Sequence, residues 1–146
     1  MCPLSTGSSI CFENPLAVIA EEKQGQYLRV VWKRAAWHLS AAQTVMEQLL
    51  VCLRRTGWGK VLIKQPPFPA FPLGYHTWLL YNWLPRAQAA GAWCFAILPP
   101  RDLFAHLGFA DFLSQLRQRE VRYCVADSRE QAIIWLNQQR ADSELS

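Results

Sequence analysis

A chain of 146 residues, 51% hydrophobic and 18% charged, can bury the core of one globular domain and is too apolar and too weakly charged to be a disordered polymer. Its 15 basic residues exceed its 11 acidic ones by four, but they are scattered in twos and threes (Arg54-Arg55; Arg117, Arg119 and Arg122), so no nucleic-acid partner is expected. The five cysteines, Cys2, Cys11, Cys52, Cys94 and Cys124, are odd in number and form no CxxC pair, which indicates neither a disulfide framework nor a zinc site.

The N-terminal MCPLSTGSS has no charged n-region and no apolar h-region, so no signal peptide is expected. Residues 1–9 are small and polar and read as a flexible tail, with a short edge strand over Ser9–Glu13. Ala17–Glu22 and Tyr27–Lys33 are two apolar, β-rich runs joined by Lys23-Gln24-Gly25-Gln26. This predicts an antiparallel hairpin, with Gly25 supplying a positive φ. Leu28, Val30 and Trp32 should face one side of the sheet, and Tyr27, Arg29, Val31 and Lys33 the other.

Ser40 reads as the N-cap of a helix that runs to about Thr56 and ends at Gly57. Its apolar residues Ala42, Val45, Met46, Leu49, Leu50 and Leu53 make one core-facing stripe. Val61–Ile63 is a short apolar run without helical period and reads as a buried parallel strand in the sheet interior. Pro66, Pro67, Pro69 and Pro72 then force the chain out of the sheet and across its end. A helix is expected over Tyr75–Ala90, buried through Leu79, Leu80, Leu84 and Ala87, widened by Trp78, Tyr81 and Trp83, kinked or restarted at Pro85 and stopped at Gly91.

Trp93–Leu98 is the next buried strand, ended by Pro99-Pro100. A short helix over Asp102–Leu107 should break at Gly108, with another over Phe109–Arg119 burying Phe109, Phe112, Leu113 and Leu116. Val121–Ala126 is the last strand. Ser128 and Gln131 then form an S-x-x-Q capping box for a helix reaching Gln139, with Ala132, Ile133, Trp135 and Leu136 as its apolar face. Residues 140–146 read as a second flexible tail. The order β-β-α-β-α-β-α-β-α predicts an α/β fold: a mixed sheet in which an N-terminal antiparallel hairpin is followed by βαβ units, with helices packed on the sheet.

Three stretches resemble the STAS domain, the SpoIIAA-like or anti-sigma-factor-antagonist fold, in its small bacterial forms. They are YLRVVWKR, WLLYNWLPRAQAAGAWCFAI and DSREQAIIWL, and the likeness spans residues 10–139 as one domain. The resemblance implies a non-enzymatic module that binds proteins, or in some relatives a small apolar or nucleotide ligand. Regulated members carry a phosphorylatable hydroxyl after the central strand. Here that place holds Lys64-Gln65-Pro66-Pro67, and the next hydroxyl is Thr77, so no serine-phosphorylation switch is expected.

No GxSxG, P-loop, GxGxxG or HExxH occurs, and no catalytic residue, cofactor or metal is expected. Asp102 and His106 share a helical spacing but are only two metal ligands. Cys52, Cys94 and Cys124 sit in apolar segments and read as small buried hydrophobes, as in a reducing cytoplasm. No apolar run has the length of a membrane helix, so no membrane insertion is expected. Seven Trp and seven Phe are many for this length and suggest a protein partner or a homodimer, with a small apolar ligand in an aromatic-lined cleft as the alternative. The working surface is expected around the Pro-rich crossover, at Lys64, Phe68, Phe71, Tyr75, His76 and Trp78.

Overall fold

The computed structural model describes residues 7–33, 38–65, 72, 74–99, 103–119 and 121–139, with only the backbone described at 103–108. Six strands form one sheet: β1 (Ser8–Glu13), β2 (Ala17–Glu22), β3 (Tyr27–Trp32), β4 (Lys60–Lys64), β5 (Cys94–Leu98) and β6 (Arg122–Val125). They lie side by side in chain order. The β1–β2 and β2–β3 pairs are antiparallel, and β3–β4, β4–β5 and β5–β6 are parallel. Val61–Ile63 is therefore interior, with β5 beside it, as its apolar run predicts.

Parallel neighbours taken in order, each joined by a right-handed crossover, put every connecting helix on the same face. That face carries α1 (Leu39–Thr56), the helical stretch after the crossover and α4 (Leu103–Arg117). Val45, Met46, Leu49 and Leu53 of α1, Trp83 and Leu84 of the second helix, and Phe112 and Leu116 of α4 pack there on Leu28, Val30, Trp32, Val61, Ile63, Phe95 and Ile97. The alternate strand residues, Leu62, Cys94 and Ala96, point to the other face, where Ala132 and Leu136 of α5 (Arg129–Gln138) cover them together with Tyr27. Ile133 and Trp135 of α5 are only half-buried.

Several expectations are corrected. The edge strand starts at Ser8, so Ser8 and Ser9 belong to the sheet and not to a tail. In the β2–β3 turn the positive φ (54°) is at Gln26. Gly25 is needed for a different reason: a Cβ there would lie 2.7 Å from the Tyr27 ring. Helix α1 is capped by His38 without a side-chain bond, and Ser40 lies inside the helix, where its carbonyl accepts from Thr44 Oγ1.

The helix after the crossover consists of α2 (Tyr75–Trp78), a π-helical turn (Leu79–Trp83) and α3 (Leu84–Ala89). Pro85 has no N–H to offer the preceding turn, and Leu84 N donates to Leu79 O, five residues back. The extra residue turns Leu80, Trp83, Leu84 and Ala87 inward together and leaves Tyr81 63% exposed. Trp83 is thus a core residue, with Nε1 donating to Met46 O at 2.8 Å. Helix α4 runs unbroken through Gly108: a mid-helix glycine costs only about 1 kcal/mol, which the burial of Phe109, Phe112 and Leu116 outweighs.

The capping box forms with one change. Ser128 Oγ accepts from Gln131 N at 3.2 Å, while Gln131 Oε1 reaches back to Asp127 N, one residue before the cap. No helix among the described residues is long and apolar enough to cross a membrane. The tail expected over 140–146 lies outside the described residues.

Candidate functional site

Parallel strands β4 and β5 end together at Lys64 and Leu98, and Gln65 N extends their ladder by one bond, to Leu98 O at 3.0 Å. Two clefts open at this carboxyl end, on opposite faces of the sheet, and Gln65 lines both.

On the three-helix face the cleft is apolar and narrow, with a volume of about 40 Å³. Trp32, Ile63, Tyr75, His76, Trp83 and Phe112 line it. The Tyr75 ring meets Trp32 edge-on at 6.2 Å, and His76 stacks on Phe112 at 4.5 Å. Burial drives the Tyr75 hydroxyl far above the usual tyrosine range. Burial also pushes the His76 imidazole down to about 4, the Asp111 carboxylate pulling weakly the other way, so His76 is neutral at pH 7. Gln65 is only 8% exposed, and its Oε1 is buried without a hydrogen-bond partner.

On the α5 face the cleft is polar and wide, about 570 Å³, within the usual range for ligand sites. Lys64 and Arg29 reach it because strand alternation puts them on the same face as Leu62. Arg129, Ser128 and Asp127 reach it from the start of α5. Arg29 Nε donates to Glu22 Oε2 at 3.0 Å, which neutralises part of its charge. Arg129 lies near Tyr27, and its charge pulls down the Tyr27 hydroxyl pKa that burial raises. A cation at a helix N-terminus runs against the helix dipole, so Arg29, Lys64 and Arg129 make a field that favours an anion, offset in part by Asp127.

Of the six residues expected at the working surface, Tyr75 and His76 thus share the apolar cleft, and Lys64 belongs to the polar one. Trp78 is half-buried against the core, 6.3 Å from the Tyr75 ring, and lines neither cleft. Phe68 and Phe71 lie outside the described residues, as does Asp102 of the Asp102–His106 spacing. Among the described residues no three His, Cys, Asp or Glu side chains gather as a metal site. Thr77 is exposed on α2.

Sequence reasoning missed Gln65, Arg29 and Arg129. For Arg29 a signal existed, since it falls on the β3 face opposite Leu28 and Val30. For Arg129 none did, because its approach to β4 depends on α5 crossing to the far face. Comparison with protein-family models, with curated proteins and with solved structures finds no match for this chain.

Proposed function

We propose that the chain is a non-enzymatic, STAS-like binding domain that captures a protein partner through an acidic segment of that partner. The convergence of Arg29, Lys64 and Arg129 on the wide cleft at the carboxyl end of β4 and β5 carries this reading. It supports binding rather than hydrolysis that Ser128, the hydroxyl side chain lining the cleft among the described residues, is engaged as a helix cap. A second copy of the chain is the homotypic form of such a partner.

The test is fluorescence anisotropy with a labelled oligoglutamate peptide, with an oligolysine peptide as control. Binding of oligoglutamate alone, weakening with salt and lost in Lys64→Glu combined with Arg129→Glu at an unchanged thermal midpoint, is the expected result. Equal binding of both peptides, or an unaffected double variant, rejects the reading. Light scattering of the free protein separates the homotypic form from the heterotypic one.

The unpartnered Gln65 Oε1 favours a second reading, a small apolar ligand in the aromatic-lined cleft. The room there suits a group of a few heavy atoms carrying one hydrogen-bond donor, such as a small alcohol. Such a ligand raises the thermal midpoint by mass action. It does so in the wild type and not in Gln65→Leu if this reading holds, and equal shifts in both proteins exclude it.

A further inference from the structure

Cys11 and Cys52, 41 positions apart, meet between β1 and α1 with their sulfurs 2.8 Å apart. A β-bulge brings them together. The β1–β2 register pairs Ile10 with Ala20 and Phe12 with Ile19, so Cys11 is the extra, unpaired residue of the ladder. The bulge lets Cys11 and Phe12, neighbours that would alternate in a regular strand, both pack toward the core. Cys52 waits there on the buried face of α1, with Arg55 one turn on; Arg55 Nη2 stands 3.9 Å from Cys52 Sγ and is ion-paired with Glu21 of β2. Cys52 is only 2% exposed, so a small reagent has to reach it past the half-buried Cys11 and the exposed Arg55 side chain.

We propose that Cys11 and Cys52 are a redox-active dithiol that a small hydroperoxide closes to a disulfide. The two sulfurs already stand within about 1 Å of bonding distance, so closure needs only small side-chain rotation. The contact with Cys11 and the Arg55 guanidinium favour the thiolate at Cys52, against the effect of burial, while Cys11, whose Sγ can donate to the Ile19 carbonyl at 3.4 Å, keeps the proton. Cys52 Sγ attacks the peroxide: an S–O bond forms as the O–O bond breaks, and hydroxide or alkoxide leaves and is protonated. Cys11 Sγ then attacks Cys52 Sγ; the S–S bond forms, the S–O bond breaks, and the hydroxyl departs with the Cys11 proton as water. Two thiols are oxidised by two electrons and one peroxide is reduced. The product ties the outer edge strand to the first helix.

The experiment treats the reduced full-length protein with a slight molar excess of hydrogen peroxide at pH 7. Thiols are then counted after denaturation, and non-reduced peptides are mapped by mass spectrometry. The expected result is a fall from five thiols to three, with a linked Cys11–Cys52 peptide lighter by two hydrogens. In Cys11→Ser the same treatment should leave a sulfenic acid at Cys52 that dimedone traps, and Arg55→Gln should slow closure with both cysteines present. Five remaining thiols, a link between other cysteines, or sulfinic acid at Cys52 without a link in the wild type overturns the proposal.

Discussion

His76 gives the sharpest test of the packing around the apolar cleft. Its imidazole is stacked on Phe112, and burial takes its pKa from 6.5 to about 4. In the unfolded chain it titrates near 6.5, so between pH 6.5 and 4 the unfolded state binds more protons than the folded one. Stability is therefore full above pH 6.5 and falls as the pH drops toward 4. At about 1.36 kcal/mol per pKa unit, this one group removes ~1.4 kcal/mol at pH 5.5 and ~3 kcal/mol at pH 4. Carboxylates titrate in the same window, so the comparison is with His76→Phe, which keeps a flat ring against Phe112 and loses the proton site. Urea unfolding of both proteins at pH 7, 5.5 and 4 should give two lines that diverge by these amounts, the variant falling less. Parallel lines would refute the reasoning, because they would mean that His76 protonates as readily folded as unfolded.

Leu136→Ala should cost about 3 kcal/mol by denaturant unfolding, because Leu136 is fully buried over Leu62 and Ala96, whereas Trp135→Ala at a half-buried position should cost less. The reverse order would place the tryptophan on the sheet instead. Trp83→Phe should lose about 1–3 kcal/mol, since it removes the Nε1 bond to the Met46 carbonyl and part of a fully buried ring, and a chemical-denaturation midpoint equal to wild type would contradict that packing. Arg86→Ala removes a two-pronged bond to Glu47, but both side chains are more than a third exposed, so the loss should stay below about 1 kcal/mol. A loss of several kcal/mol there would show that the pair is shielded from water.

The order of elements was legible in the sequence because each one satisfies its own local rule. Val61–Ile63 is too short and apolar to be anything but a covered strand, and the α1 stripe has one period throughout. Ser128 and Gln131 have the right spacing for a cap. What stayed illegible depends on partners distant in the chain. The Lys64 to Trp78 stretch looked like one surface, yet the sheet runs between its members: Ile63 and Lys64 point to opposite faces, and the chain after the crossover follows Ile63. Strand alternation alone would have separated Lys64 from His76. The meeting of Cys11 with Cys52 rests on a one-residue bulge, and the inward turn of Trp83 on a π-turn before Pro85. Neither irregularity has a periodic signature.

The chain-order sheet also bears on how the molecule assembles. Every ladder joins strands that are consecutive in the sequence, so each can form once its second strand is made, with paired residues no more than 34 positions apart. Helix α5 is different: it must come back over the finished sheet to seat on β4 and β5. During synthesis on the ribosome, Leu62, Cys94 and Ala96 thus stay open to water until residues 129–138 have cleared the exit tunnel, a sticky interval in which the nascent chain is most exposed to chaperones and to other copies of itself.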